Sequence, residues 1–461
     1  MNAPNRAVVV GASISGLLTA RVLSDVYDQV TLVDRDVMPT SPGIRRGVPQ
    51  GRHAHSLLAA GCAAVEDLLP GFTDDAVQAG ALRVDLQQDL HWYCEGHRLY
   101  PAPSGLAGLV ASRPLLEHVI RTRVAARPGV QLIAGCDAVG LASAGRGQRV
   151  TGVTIMPRRD GAASSVLPAD LVVDATGRSS RAPLWMAELG YHGPAEEQCG
   201  LGASFASRLY RREPGALGGR AGSTVIAGPG SPRGAMLLAQ EGGTFVLTTV
   251  SLGGTEPPAD DAGLAAFSRR LPGPDVAEVT STAARLSKIV RLRYPRGIWR
   301  RYDQLTRFPA GFLVTGDALC SLSPVHAQGM SVAALEASLL RRLLAEGSQQ
   351  LAPRFFTAAA ELLRVPWAIT RGPAQACSGP GGGSGGGPGG APGGRGGGAS
   401  GGGGRADFPG YLGRLYAAAA GDPVLAAALL GVASLVHSPG VLFTDEIRSR
   451  VRAGGGSTAV S

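Results

Sequence analysis

Lysine is almost missing from this chain. Lys288 is the only one, so arginine carries nearly all of the 44 basic side chains that outweigh 35 acidic ones and give a formal charge of +9. Such a balance raises the question of nucleic acid, yet the arginines are scattered and no basic block with interleaved aromatics occurs, so no nucleic-acid partner is expected. The excess charge reads instead as an aid in drawing in anionic phosphate ligands. Cysteines are few (Cys62, Cys94, Cys136, Cys199, Cys320 and Cys377) and none forms a C-x-x-C pair. That argues against a zinc centre or a disulfide framework and for a reducing, cytoplasmic setting. Long apolar runs are also lacking. The best, Pro423 to Val436, is shorter than the ~18 to 20 residues of a membrane span, so a buried or interfacial helix and no transmembrane segment are expected. No signal peptide is expected either, since the apolar residues beginning at Ala7 belong to a nucleotide-binding turn.

What abounds is glycine, 68 residues in 461. The first group punctuates Ala7-Val-Val-Val-Gly-Ala-Ser-Ile-Ser-Gly-Leu-Leu-Thr-Ala20: an apolar strand, a turn at Gly11 to Gly16, then a helical pattern through Leu17, Ala20, Val22 and Leu23. This is the start of a dinucleotide-binding unit, whose helix aims free N–H groups and its positive dipole end at a pyrophosphate. A second strand, Val30 to Asp34, ends in an acid about 20 residues beyond the turn, where a carboxylate holds an adenosine ribose. Arg35 follows it. Ser13 stands where the fingerprint has its middle glycine, and a hydroxyl there, or at Ser15, offers a hydrogen bond to phosphate. A βα connection with no ligand is the bland alternative for this motif alone.

Two later segments repeat the theme of an apolar strand ending in a polar, Gly-containing turn: Asp170-Leu-Val-Val-Asp-Ala-Thr-Gly-Arg178 and Gly311-Phe-Leu-Val-Thr-Gly-Asp-Ala318. The second leads through Pro324 to Gln328-Gly-Met330 and a helix expected over about 328 to 344. The set resembles the flavoprotein monooxygenases of the para-hydroxybenzoate hydroxylase fold, and within them the flavin epoxidases of polyether and related natural-product pathways. Arg45-Arg-Gly-Val-Pro-Gln-Gly-Arg-His-Ala-His-Ser-Leu-Leu58, read as a loop and helix start, and Ser112-Arg113 before a helix extend the likeness over most of residues 6 to 350.

The resemblance implies an α/β fold: a Rossmann-like FAD-binding domain with an antiparallel-sheet substrate domain and a C-terminal helical region. It implies noncovalent FAD on the Gly11 to Gly16 turn, with Asp34 at the ribose, Asp317 at the ribityl chain, and Gly316, Gly329 and Met330 at the start of a helix facing the flavin's pyrimidine edge. Arg113 would contact FAD from the nucleotide side, and Arg45, Arg46 and Gln50 would run beside it. Cys320 is expected to be a packed thiol rather than a covalent flavin anchor.

Domain limits follow the patterns. Residues 1–200 form the first part of the FAD domain, with an excursion near 85–110 that begins at Leu90-His-Trp-Tyr93. The helix from Ser112 to Val124 has a core stripe at Leu116, Val119, Ile120 and Val124, and strands at 130–133, 149–156 and 171–173 complete the middle of this domain. Residues 201–293 form the substrate domain, with period-two strands at 235–239 and 244–250 and one helix near 261–271. Residues 294–350 return to FAD, 351–377 extend as helix, 378–405 are a glycine tract expected to be a disordered linker, and 406–461 are helical.

By the same resemblance the chemistry is oxygen transfer from a flavin C4a-hydroperoxide to an electron-rich double bond, with O2 as co-substrate and an apolar, polyketide- or isoprenoid-like alkene from secondary metabolism, such as antibiotic biosynthesis, as acceptor. No metal and no protein nucleophile are needed; the protein excludes water and orients the alkene. His53 and His55 are the candidate proton donors, weighed against ordinary structural histidines, and Pro324 is expected to shape the flavin face. Asp174 reads as a turn residue. Thr176 replaces the Asp of the Ala-Asp-Gly sequence tied to FAD and NADPH in many single-component hydroxylases. NADPH or NADH is therefore expected as the ultimate reductant, with a separate flavin reductase as a candidate partner. Aromatic hydroxylation, alkene saturation, halogenation and a non-catalytic flavin-binding role stay open. Halogenation is disfavoured because Lys288 is alone and Val365-Pro-Trp-Ala-Ile-Thr370 lacks the Trp-x-Trp-x-Ile-Pro pattern.

Overall fold

A computed structural model describes residues 5–228, 231–377 and 408–454; the glycine tract singled out above, 378–405, lies outside them. Its organising element is a five-stranded parallel sheet in the order Phe312–Val314, Leu171–Asp174, Arg6–Val10, Gln29–Asp34, Val130–Ala134. Ala7, Val8, Val9 and Val10, and their partners Leu171, Val172 and Val173, are all buried, as parallel strands covered by helices must be. The helix Ile14–Leu23 packs beside the helix Gly329–Ala345, and both lie against this sheet's apolar core.

Two glycines make the strand-to-helix crossing possible. Gly11 has φ +101°, and a Cβ there would stand 2.5 Å from the Ala175 carbonyl oxygen; one on Gly16 would stand 1.8 Å from the Gly11 carbonyl oxygen. The turn after the first strand therefore nests directly on the turn after Leu171–Asp174. In an open parallel sheet, the crevice where strand order reverses is where ligands bind.

The strand expected at 149–156 is present: Arg149–Pro157 is the centre of a three-stranded antiparallel sheet with Cys136–Ala144 and Ser165–Pro168. The period-two patches belong to a larger, eight-stranded sheet running from Cys320–Ser321 through Val290–Arg300, Glu196–Arg211, Thr244–Ser251, Arg233–Gln240, Gly222–Ile226 and Leu90–Cys94 to His97–Arg98. Its outer face is covered by two helices, Asp261–Ser268 and Asp275–Thr282, rather than one.

The inner face of that sheet is covered as well. Leu415, Ala418, Leu425, Leu429, Ile447 and Val451, from the helices Phe408–Ala419, Pro423–Ala433 and Asp445–Gly454, share one buried apolar cluster with Met236, Leu238, Val246 and Leu90. We call these three helices the cap. Burial of their apolar side chains, at about 25 cal/mol per Å², holds them there. No helix among the described residues is long and apolar enough to cross a membrane.

Candidate functional site

At the carboxyl edge of the parallel sheet, the polar turns converge. A cleft of about 170 Å³ is lined by Gly11, Ser13, Asp34, Arg35, Arg45 and Thr176 together with Val48, Arg181 and Trp185. The helix Ile14–Leu23 opens into it with Ser13 as N-cap and no side chain bonded to its first N–H groups, so these remain available to an anion.

Asp34 is buried. Its Oδ2 accepts from the Ala12 N–H at 2.7 Å, and its Oδ1 accepts from the Asp36 N–H and faces Arg45 Nη1 at 3.3 Å. An ionised carboxylate has about four lone-pair sites, so room remains for a ribose hydroxyl. Arg45 lies beneath the cleft rather than simply beside it: it spans Asp34, Asp36 and Glu117, the last at 2.7 Å. Burial works against its charge, but Glu117, Asp34 and Asp36 together hold the guanidinium above the ordinary arginine range.

The Ser13 hydroxyl, expected as a phosphate ligand, is committed elsewhere: it bonds Glu117 Oε2 and accepts from Arg113 Nη2, both at 2.8 Å. Two other groups are uncommitted. Ser15 Oγ and Arg113 Nε are buried without a hydrogen-bond partner, Glu117 lying 3.6 Å from the latter. Leaving such groups unpaired costs about 1 to 3 kcal/mol each, so the site fits a ligand that presents acceptors to both, as a pyrophosphate does.

Gly316 (φ +65°) presses on Ser15, whose Oγ lies 2.5 Å from where a Cβ would stand. The next residue, Asp317, has an accessible side chain beside Gly177. Dense surrounding protein raises its carboxyl above the usual range, opposed by Arg113 and Arg178. Beneath this turn sits Glu336, whose Oε2 accepts from Thr315 Oγ1 at 2.7 Å and from the Gly316 N–H at 2.6 Å. Burial pushes Glu336 up to about 7. Gly329 is exposed with open space at its Cα, whereas Met330 is packed into the core.

Other expected residues fall differently. Arg46 is exposed and Gln50 half-buried in a 3-10 turn, and neither lines the cleft; nor do Ser15, Gly16, Arg113, Gly316, Asp317, Gly329 and Met330. His53 and His55 stand not at a helix start but in the extended link between that turn and the short strand Ser56–Leu57. His53 Nδ1 lies 2.7 Å from Ser207 Oγ, which meets Thr248 Oγ1 at 2.6 Å; that hydroxyl accepts from the Ala54 N–H. His53 and Ala54 thereby stitch this loop to the large sheet, while His55 Nδ1 lies 2.9 Å from the His53 carbonyl oxygen. Burial, aided by Arg52, lowers His53 to about 4, and burial with Arg113 lowers His55 to about 3. Both are neutral at pH 7. Asp174 is buried and saturated by Thr176 and Ser180, which suits a turn residue, and burial drives the Cys320 thiol far up, leaving no thiolate at neutral pH.

Sequence reading missed Glu117, Glu336 and His326. Glu117 had a signal, since it follows Arg113 by one helical turn. Glu336 had a weaker one, an acid alone on an otherwise apolar helix face.

These groups set a pH profile. Glu336 is raised above the unfolded value of about 4.5, so its contribution is full below that value and is lost as pH rises through about 7. His53, His55 and His326 are depressed, so theirs is full above about 6.5 and is lost as pH falls toward about 4. Unfolding free energy is expected to peak between these flanks, near pH 6.5. In urea titrations, Glu336→Gln should abolish the shallow decline above pH 6.5, worth under about 1 kcal/mol, and steepen the rise in stability between about pH 4.5 and 6.5; an unchanged profile would exclude Glu336 as its source.

The parallel sheet, the antiparallel sheets and the polar turns at the parallel sheet's edge define a protein of the para-hydroxybenzoate hydroxylase fold. The structure of PqsL from Pseudomonas aeruginosa, a probable FAD-dependent monooxygenase, superposes with TM-score 0.61 at 18% identity, covering 81% of this chain and 96% of that one. A point variant of 2-methyl-3-hydroxypyridine-5-carboxylic acid oxygenase gives 0.59 at 19%, covering 80% and 90%. The flavin-dependent brominase Bmp2 gives 0.59 at 15%, covering 79% and 85%. At such identities the likeness establishes the fold alone. No protein-family model matches the chain. Protein Rv3254 of Mycobacterium tuberculosis is 36% identical over 352 residues, 74% of this chain and 73% of the relative. The chain belongs to the family of that protein.

Proposed function

We propose that this chain is an FAD-dependent monooxygenase that epoxidises an apolar alkene. The observation that carries the reading is the meeting of the Gly11 turn and Asp34 in one cleft, with the Gly316 turn pressed on Ser15 and with Ser15 Oγ and Arg113 Nε buried without a hydrogen bond. Bound FAD would supply the reduction of O2 and the transfer of one oxygen atom.

The chain's own residues would do the rest. The first helix N-terminus, Ser15 and Arg113 hold the pyrophosphate; Asp34 holds the adenosine ribose and Asp317 the ribityl hydroxyls. The N-terminus of Gly329–Ala345 stabilises negative charge on the pyrimidine edge. His53, neutral and bonded to Ser207, positions its loop against the large sheet rather than carrying charge, and His55 bonds the His53 carbonyl. The apolar inner sheet face and the cap exclude water, which protects a reactive oxygen donor from wasteful breakdown. Thr176 and Asp174 bond each other, and no acid stands at the Thr176 position, which favours a separate reductase as electron donor.

The test uses the holoprotein. NADPH alone should reduce its flavin slowly, and the chemically reduced protein mixed with labelled O2 and an isoprenoid alkene should give an epoxide carrying one labelled atom. Fast direct NADPH reduction would remove the reductase from the scheme. A saturated or halogenated product, or label from water, would overturn the oxygenase reading. Aromatic hydroxylation is the second reading, favoured by the likeness to the pyridine-carboxylic acid oxygenase, and a phenol in the same assay distinguishes it.

A further inference from the structure

The seam between the cap and the flavin-side loop is built unusually. Gln328 Nε2 donates to the Ala433 carbonyl at 2.9 Å, and the Ser434 carbonyl accepts from the Ala60 N–H at 3.2 Å. Ala327 packs on the cap's apolar cluster while Leu435, just past the cap's second helix, packs on the core of the nucleotide-binding layer. Both are non-glycine residues in the left-handed region, at φ 53° and 63°. Strained backbone of this kind persists where surrounding contacts over-determine it, and it clusters at functional sites.

In the same turn two polar atoms are fully buried and have no partner: His326 Nε2 and Gln328 Oε1. The Gln328 amide nitrogen is already used by Ala433, so its oxygen can only accept. Burial lowers His326 to about 4, so the ring is neutral and its Nε2 can donate or accept according to tautomer. An ionised carboxylate and a carbonyl carry no donor, so neither can satisfy Gln328 Oε1. A hydroxyl can donate to Gln328 Oε1 and accept from His326 Nε2–H.

We propose that His326 and Gln328 form a polar subsite, roofed by the cap, that anchors a hydroxyl group of an otherwise apolar alkene substrate. This rests on the flavin monooxygenase reading and narrows it to alkenols. In the apolar surroundings a single satisfied hydroxyl would fix the alkene's position, because an unmade hydrogen bond is costly where water is excluded.

The test titrates FAD-loaded protein with geraniol and with its methyl ether, which keeps the apolar body and the acceptor oxygen but loses the donor. Binding is read from the flavin difference spectrum, independent of turnover. Wild type should bind geraniol about tenfold more tightly than the ether. His326→Phe, which leaves the Gln328–Ala433 bond intact, and Gln328→Met should each bring the ratio near one without loss of FAD. A ratio of one in wild type, a ratio preserved in both variants, no spectral response to either probe, or variants that lose FAD while keeping the preference would overturn the subsite. A protein that takes up no FAD would instead overturn the underlying reading.

Discussion

Asp317→Ala is expected to weaken FAD binding by about ten- to a hundredfold while leaving the fold intact. The side chain is accessible, beside Gly177 and within electrostatic reach of Arg113 and Arg178. In the proposed reading its loss removes the acceptor for the ribityl chain, at about 1 to 3 kcal/mol. Because the Gly316 turn is held from beneath by Glu336 through Thr315 and the Gly316 N–H, the backbone should keep its course. Fluorescence titration of the apoprotein with FAD, alongside a thermal melt, separates the two effects. Unchanged affinity would remove Asp317 from the site, and a collapsed melt would make its role structural.

Arg45→Met should act mainly on stability. Arg45 is 6% exposed, and its guanidinium faces Asp34, Asp36 and Glu117 at once. Removing one partner from a buried charge network strands the others, at about 3 to 5 kcal/mol. FAD affinity should fall as well, since Asp34 loses a group that fixes its orientation. Arg45→Lys, which keeps the charge but not the fork that reaches several carboxylates, should fall between. Urea unfolding of the three proteins checks the order. A Met variant as stable as wild type would mean that the cluster is solvated and Arg45 is dispensable.

The nucleotide layer was legible because its signals are local. Val8, Val9 and Val10 ahead of Gly11, and Phe312, Leu313 and Val314 ahead of Gly316, are short apolar runs closed by glycines that only one backbone course accommodates. What sequence did not reveal depends on distant pairing. Leu90–Cys94 lies parallel to Gly222–Ile226 in the large sheet, and Arg149–Pro157 pairs with Cys136–Ala144, choices made by tertiary packing rather than by either strand's own pattern. Asp36 and Glu117 look like solvated charges until the fold brings Arg45 between them. Residues 423–433 read as a buried helix from composition, but nothing local says that they cover the inner face of the large sheet and grip Gln328.

The central claim is that the converging turns hold FAD, and the visible absorption spectrum of the purified chain, before and after acid release, tests it most directly. The account predicts a yellow protein with flavin bands near one equivalent per chain, the pigment leaving with acid or heat and identified as intact FAD. A colourless protein that cannot be reconstituted by added FAD would contradict it.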